Sequence, residues 1–214
     1  MLNSNVQDLR AKTLRRWELA LMLGIGLALV LGMWLHGQQR ELAQRVVRLH
    51  VIANSDTGED QELKLRVRDR VLEEAALLLP GGTDRQAAIS ALEGHLDLLT
   101  DAAAREIEAA GYDYPVAVRV EETWFPTKEY EDFSLPAGSY TALRVIIGEG
   151  EGRNWWCVVF PPLCMGAVTE TAAETASDSG FTDEQVSLIT GESGGYVVKF
   201  KAMELWEEFC RAAS

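Results

Sequence analysis

Histidine and cysteine are scarce in this sequence, three of each in 214 residues. His36, His50 and His95 stand at no ligand spacing from Cys157, Cys164 and Cys210. A zinc-type centre needs such residues in close pairs, so no metal and no cofactor is expected. Basic residues are also in short supply: 20 Lys and Arg against 33 Asp and Glu leave a formal charge of −13. That balance makes nucleic acid and anionic membrane surfaces poor partners. A third absence is local, because no Asp, Glu, Lys or Arg occurs from Leu19 to Gln39.

An uncharged apolar run of that length spans a bilayer as a helix. Arg10, Lys12, Arg15 and Arg16 surround its entry with only Asp8 and Glu18 as acids, a bias that keeps the N-terminus in the cytoplasm and sends the rest outward. The run reads as a signal peptide or as an uncleaved anchor, and Val30-Leu31-Gly32 is a poor cleavage site. Residues 1–38 are therefore expected to be a basic stub with a signal or transmembrane helix. Residues 39–45 form a polar connector and 46–214 an exported domain, and without residues 1–38 the chain keeps 16 basic and 31 acidic residues.

For that domain the pattern predicts an α+β fold, a long helical hairpin packed on a mostly antiparallel sheet. VVRLHVI (46–52) is strand-like. Ser55, Asp56 and Glu59 make a helix-start signature, Asp56 accepting from first-turn N–H groups and Glu59 reaching back. The helix should stop at Pro80-Gly81-Gly82, and a second should run from Asp84 to Ala110. Strands are expected at 115–123, 139–149 and 154–160 as an antiparallel meander, with a last strand at 196–200. Residues 168–180 read as an exposed loop, Thr182 and Gln185 as a capping box, and the C-terminus as a helix with Trp206 and Phe209 inward.

Three stretches invite a chemical reading. HVIANSD places His50, Ser55 and Asp56 together, but a serine at a helix cap is occupied with backbone N–H groups, and no oxyanion hole accompanies it. GESGG (191–195) resembles the Gly-Asp-Ser-Gly-Gly around the nucleophile of chymotrypsin-like proteases. Glu replaces the Asp, however, and a long helical hairpin directly after His50 does not suit that all-β fold. On the first helix Asp60, Lys64 and Arg68 form a row one turn apart, which serves either as an i,i+4 ladder or as a face toward a partner.

The third stretch is RNWWCVVFPPLC (153–164). Adjacent tryptophans on a strand point to opposite faces, so Trp155 and Trp156 cannot both enter one core. Cys157 and Cys164 flank a turn set by Pro161 and Pro162, and a disulfide between them would contribute roughly 2.5 kcal/mol in the chain-entropy model. Cys210 reads as a buried thiol.

RLHVIANSDTGEDQELKLRVRDRV (48–71) and NWWCVVFPPLC (154–164) together resemble the stage II sporulation protein R family of endospore-forming bacteria. The resemblance implies a signalling protein without catalytic activity. Such a protein is exported from the forespore into the space between the forespore and mother-cell membranes. There it activates a membrane-embedded aspartic protease of the mother cell, which processes the precursor of sigma-E. Asn154, Trp155, Trp156, Pro161, Pro162, Lys64 and Arg68 are the candidate contacts with that partner. The rival expectations are a cell-envelope serine hydrolase, with Ser193 or Ser55 as nucleophile and His50 as base, and an anchored structural protein of the envelope.

Overall fold

The computed structural model describes residues 15–30, 33, 41–79, 84–130, 133–163 and 176–190. The chain divides into two units, Met1–Gln39 and Arg40–Ser214. In the first unit α1 (15–30) is helical, with Trp17, Leu21, Met22 and Leu27 exposed. Among the described residues no helix is long and apolar enough to cross a membrane. The back of the uncharged run, apart from Met33, lies outside the described residues.

The second unit runs β1 (Val47–Ile52), α2 (Gly58–Leu78), α3 (Arg85–Glu93), α4 (Leu96–Ala109), β2 (Val116–Phe125), β3 (Lys128–Glu129), β4 (Ser134–Leu135), β5 (Gly138–Ile147), β6 (Asn154–Phe160) and α5 (Asp183–Thr190). The class is α+β. Four strands make a mixed sheet in the order β2-β5-β1-β6, with β1 parallel to β5 and the other two pairings antiparallel. β3 and β4 pair as a separate small hairpin.

The expected meander is corrected here. β6 does not lie beside β5, because β1 is inserted between them. The six residues from Gly148 to Arg153 step over the exit of β1, a span of roughly 10 Å at two strand spacings. Their backbone hydrogen-bonds to what they cross, Glu151 N–H to the Asn54 carbonyl (3.1 Å) and Gly152 N–H to the Ala53 carbonyl (2.9 Å).

The second arm of the helical hairpin is also corrected, since it is broken in two. Asp84 caps α3 as expected, its carboxylate accepting from the N–H groups of Gln86 and Ala87. Helix α3 then ends at Gly94, which weakens the helical run, and His95 Nδ1 hydrogen-bonds back to the Ala91 carbonyl (2.7 Å). Helix α2 ends at Leu79, whose extended ψ of 133° is the conformation that a following proline imposes. The Thr182–Gln185 capping box forms reciprocally at α5 (3.1 and 3.3 Å).

Alternation along β1 sets up two cores. Val47, Leu49 and Val51 meet Leu63, Val67 and Val71 of α2, Ile89 and Leu92 of α3, and Leu99 and Ile107 of α4. The opposite face of the sheet builds a second cluster from Leu42, Val46, Phe125, Phe133, Leu135, Tyr140, Val158, Phe181 and Ile189. Leu42, in the stretch read as a connector, is thus buried. β1 has no exposed residue, as befits a central strand covered on both sides.

The face assignment of α2 is testable by truncation. Leu63 is 2% exposed and Leu77 81%. Leu63→Ala should cost about 2–5 kcal/mol in urea denaturation, whereas Leu77→Ala should move stability by no more than about 0.5 kcal/mol.

Candidate functional site

The two motif-bearing stretches meet at one junction, where the β1–α2 connection carries the β5–β6 turn. Asn54 is its pivot: Oδ1 accepts from Glu149 N–H (3.0 Å) while Nδ2 donates to Asp60 Oδ2 (2.9 Å). Ser55 Oγ donates to the same carboxylate oxygen (2.6 Å). Asp56 Oδ1 accepts from Arg153 N–H (2.7 Å), and Lys64 Nζ donates to the Arg153 carbonyl (3.0 Å) and to Gln61 Oε1 (2.6 Å). Gln61 Nε2 donates to the Ser55 carbonyl (2.8 Å). The turn's glycines make this closeness possible: a Cβ on Gly148, which has φ +58°, would sit 2.1 Å from Asn54 Oδ1, and one on Gly152 2.2 Å from the Ser55 carbonyl oxygen.

The helix-cap expectation is corrected at this point. The N-cap of α2 is Thr57, whose Oγ1 accepts from Asp60 N–H (3.2 Å), and Glu59 is exposed. Ser55 and Asp56 instead serve the junction, and Asp60 takes the place expected of Glu59. The first turn therefore starts one residue later than the Asp56–Glu59 signature implies, because the polar side chains upstream have tertiary partners.

Electrostatics follow from these contacts. Burial pushes the Asp60 carboxyl up, but hydrogen bonds from Ser55, Asn54, Tyr114 and Thr57 outweigh it and hold the group below its ordinary value. Burial holds the Lys64 ammonium below its usual range, with the Arg153 charge adding to the effect. The row Asp60, Lys64, Arg68 does not act as a simple ladder, since each member turns to a different partner. Arg68 pairs with Asp69 (2.6 Å) and lies over the Trp155 ring at 4.4 Å.

β6 emerges directly from the junction. Its tryptophans point to opposite faces, Trp155 toward Arg68 of α2 and Trp156 toward the second core. There Trp156 stacks near His50 (6.0 Å between centroids) with Lys128 Nζ 4.5 Å from its ring. Trp155 stays 37% exposed and Asn154 is exposed. Cys157 is buried and disulfide-bonded, while Cys164 and Cys210 both lie outside the described residues. The strand ends in a cis Phe160–Pro161 bond, with Pro161 buried and Pro162 exposed.

His50 does not reach Ser55. Its Nε2 is hydrogen-bonded to Asn154 Oδ1 (2.8 Å), and Ser55 Oγ is held by Asp60. Burial lowers the imidazole pKa, and the Arg144 and Arg48 charges lower it further against the raising effect of Asn154. Ser193 and the GESGG stretch lie outside the described residues. Sequence reasoning missed Asn54 and the GEGEG turn as structural partners, although three glycines in alternation were the available signal. It also missed Arg48, which is fully buried between the rings of Phe125 (4.1 Å) and Tyr140 (4.9 Å) and donates to the Tyr130 hydroxyl (2.8 Å).

The family model described as Stage II sporulation protein R matches residues 43–170, a segment that contains the junction, the sheet and both motif-bearing stretches. The chain belongs to this family. Similarity to the Stage II sporulation protein R of Bacillus subtilis (strain 168) amounts to 36% identity over 123 residues, 58% of this chain and 55% of the relative. The match thus spans about half the length of that curated relative. No solved structure matches. Membership implies a role in sporulation.

Two outcomes test the junction in this family member. Gly152→Ala has no conformational penalty of its own, so its backbone clash should cost about 2 kcal/mol or more in chemical denaturation. Asp60 has a lowered folded-state pKa, so its stabilising contribution is complete above the ordinary value of 3.8 and is lost as pH falls through the folded value. Asp60→Asn should therefore destabilise the chain by about 2 kcal/mol at neutral pH. It should also flatten the acid limb of a stability-versus-pH curve, and an unchanged acid limb would show that Asp60 is not the responsible group.

Proposed function

We propose that this chain is an exported sporulation signal that activates a membrane-embedded aspartic protease of the mother cell by protein contact, leading to processing of the sigma-E precursor. The observation that carries the reading is family membership over the segment that holds the junction and β6. The uncharged run Leu19–Gln39 with its basic flank supports export, as a cleaved leader or a retained anchor that leaves the main domain in the intermembrane space. The ligand acts without catalysing a reaction.

The contact surface is proposed at β6. Trp155 offers a half-open ring backed by Arg68, Asn154 is exposed next to it, and Pro162 is exposed beyond the other end of the strand. Tryptophan and arginine held in place by a rigid support are the residues that dominate interfaces. Lys64 supports this surface from below, since its ammonium is spent on Gln61 and Arg153. A Cys157–Cys164 disulfide is proposed to close the Pro161-Pro162 turn. To switch its receptor almost completely, such a ligand must favour the active state by about 5.5 kcal/mol over the inactive one; one route is stabilising a protease dimer.

Reconstitution of the chain with the candidate protease and its precursor substrate tests this directly, with cleavage as the readout. Absence of stimulation would sink the signalling assignment. Given stimulation, Trp155→Ala should raise the half-maximal concentration about tenfold or more while leaving the fold intact. Full activity of Trp155→Ala, Trp156→Ala and Pro162→Ala alike would remove β6 as the contact.

A further inference from the structure

The sheet face opposite the helices carries a charge pattern at odds with the rest of the molecule. In this acidic chain, the strand register places Arg119, Arg144 and His50 in one cross-strand row with Trp156, and Arg48 one step along β1 beside them. Against these guanidinium groups the four strands put one carboxylate on that face, Glu121, which is already paired with Arg144 Nη1. Lys128 adds a further cation over Trp156.

Several of these donors have no acceptor although they are buried. Among the described residues Arg48 Nε and Nη1 and Arg144 Nε have no acceptor, His50 Nδ1, unprotonated while Nε2 donates to Asn154, has no donor, and Arg48 as a whole is fully buried. A buried guanidinium whose only hydrogen bond among the described residues goes to the neutral Tyr130 hydroxyl is costly, because the aromatic faces of Phe125 and Tyr140 replace only part of its lost hydration. An apolar side chain would suit a merely structural position better. Arg119 is exposed at the edge of the row, and Arg144 is a quarter exposed beside a partly exposed Glu121.

We infer that this face is a carboxylate-binding site in which Arg48, Arg144 and His50 receive an acidic side chain from a segment of a partner protein, entering along the Arg144 edge. An entering carboxylate supplies acceptors to N–H groups that have none, and charge-assisted bonds of this kind are the strong ones. Residues charged or titratable around His50 come from three of the four strands and from the small hairpin: Arg48 on β1, Arg119 and Glu121 on β2, Arg144 on β5, and Tyr130 with Lys128 from the β3 hairpin. The Arg144 and Arg48 charges act on His50 with only Glu121 opposing them, and a further anion between them favours its protonated form, which makes Nδ1 a further donor. The inference is independent of the receptor assignment and concerns this face alone.

The test uses the full chain in detergent micelles and follows His50 by imidazole NMR, with His36→Gln and His95→Gln identifying its signal. The probe is a capped Ala-Glu-Glu-Ala peptide. It should raise the His50 midpoint by about one pH unit, and the Ala-Gln-Gln-Ala counterpart should leave it unmoved. Arg48→Met should fold at least as stably as the parent and abolish the shift, and Arg144→Gln should weaken peptide binding about tenfold or more. No shift with the Glu peptide, or an equal shift with the Gln peptide, would overturn the site. Acetate binding as tightly as the peptide would also overturn the assignment, leaving an adventitious ion only.

Discussion

The carboxamide of Asn54 is the interaction on which the arrangement depends. It faces two ways at once, receiving a backbone N–H of the β5–β6 turn and donating to the carboxylate that closes the first turn of α2. A four-atom amide is the group that fits, because it offers both an acceptor and a donor within one short side chain. Because the turn is pinned to the exit of β1, β6 must fall alongside β1 rather than β5. From that pairing follow the position of Trp155 under Arg68 and that of Asn154 against His50. The glycines at 148 and 152 belong to the same device, since any side chain there would occupy the space of Asn54 or of the Ser55 carbonyl.

β1 transmits this constraint to both sides of the molecule. Its odd-numbered residues close the helical core, and its even-numbered ones, Arg48 and His50, project into an aromatic and cationic layer. The Tyr130 hydroxyl joins the two, accepting from Arg48 and donating to the Trp156 carbonyl (3.1 Å). Polar groups inside such a layer fix geometry through direction, whereas the helical side relies on area. A mixed sheet with one apolar face and one polar-aromatic face is thus a rigid support that shows different chemistry at its two surfaces.

Much of this was legible in the sequence, and what was not failed for identifiable reasons. Strand positions were readable from β-branched runs, the outward and inward tryptophans from strand alternation, and the caps at Asp84 and Thr182 from local spacing, because each depends on residues within a few positions. The insertion of β1 between β5 and β6 was illegible, since it is decided by contacts about a hundred residues apart, as between Asn54 and Glu149. The cap at Thr57 was missed because Ser55 and Asp56 match the same local preference but are drawn away by tertiary partners. Gly94 was visible and undervalued, since a single glycine in a strongly apolar helical run usually survives. Arg48 was read as an ordinary strand residue, for a basic side chain in a period-two pattern is normally solvated.

If the chain acts as the proposed ligand, the rigidity of the junction bears on how it can switch a receptor. Affinity for a partner state is spent first on ordering the groups that make contact, roughly 0.5–1.5 kcal/mol for each mobile side chain. Trp155 is held from one side by Arg68, which is itself paired to Asp69, and the strand beneath it is anchored by the Lys64–Arg153 and Asp56–Arg153 bonds. Little ordering is left to do on binding. More of the contact energy is then available to discriminate between receptor states, which is the quantity that determines how far an equilibrium moves. In the proposed function the polar density at residues 50–69 serves recognition indirectly, by fixing the elements that a partner would meet.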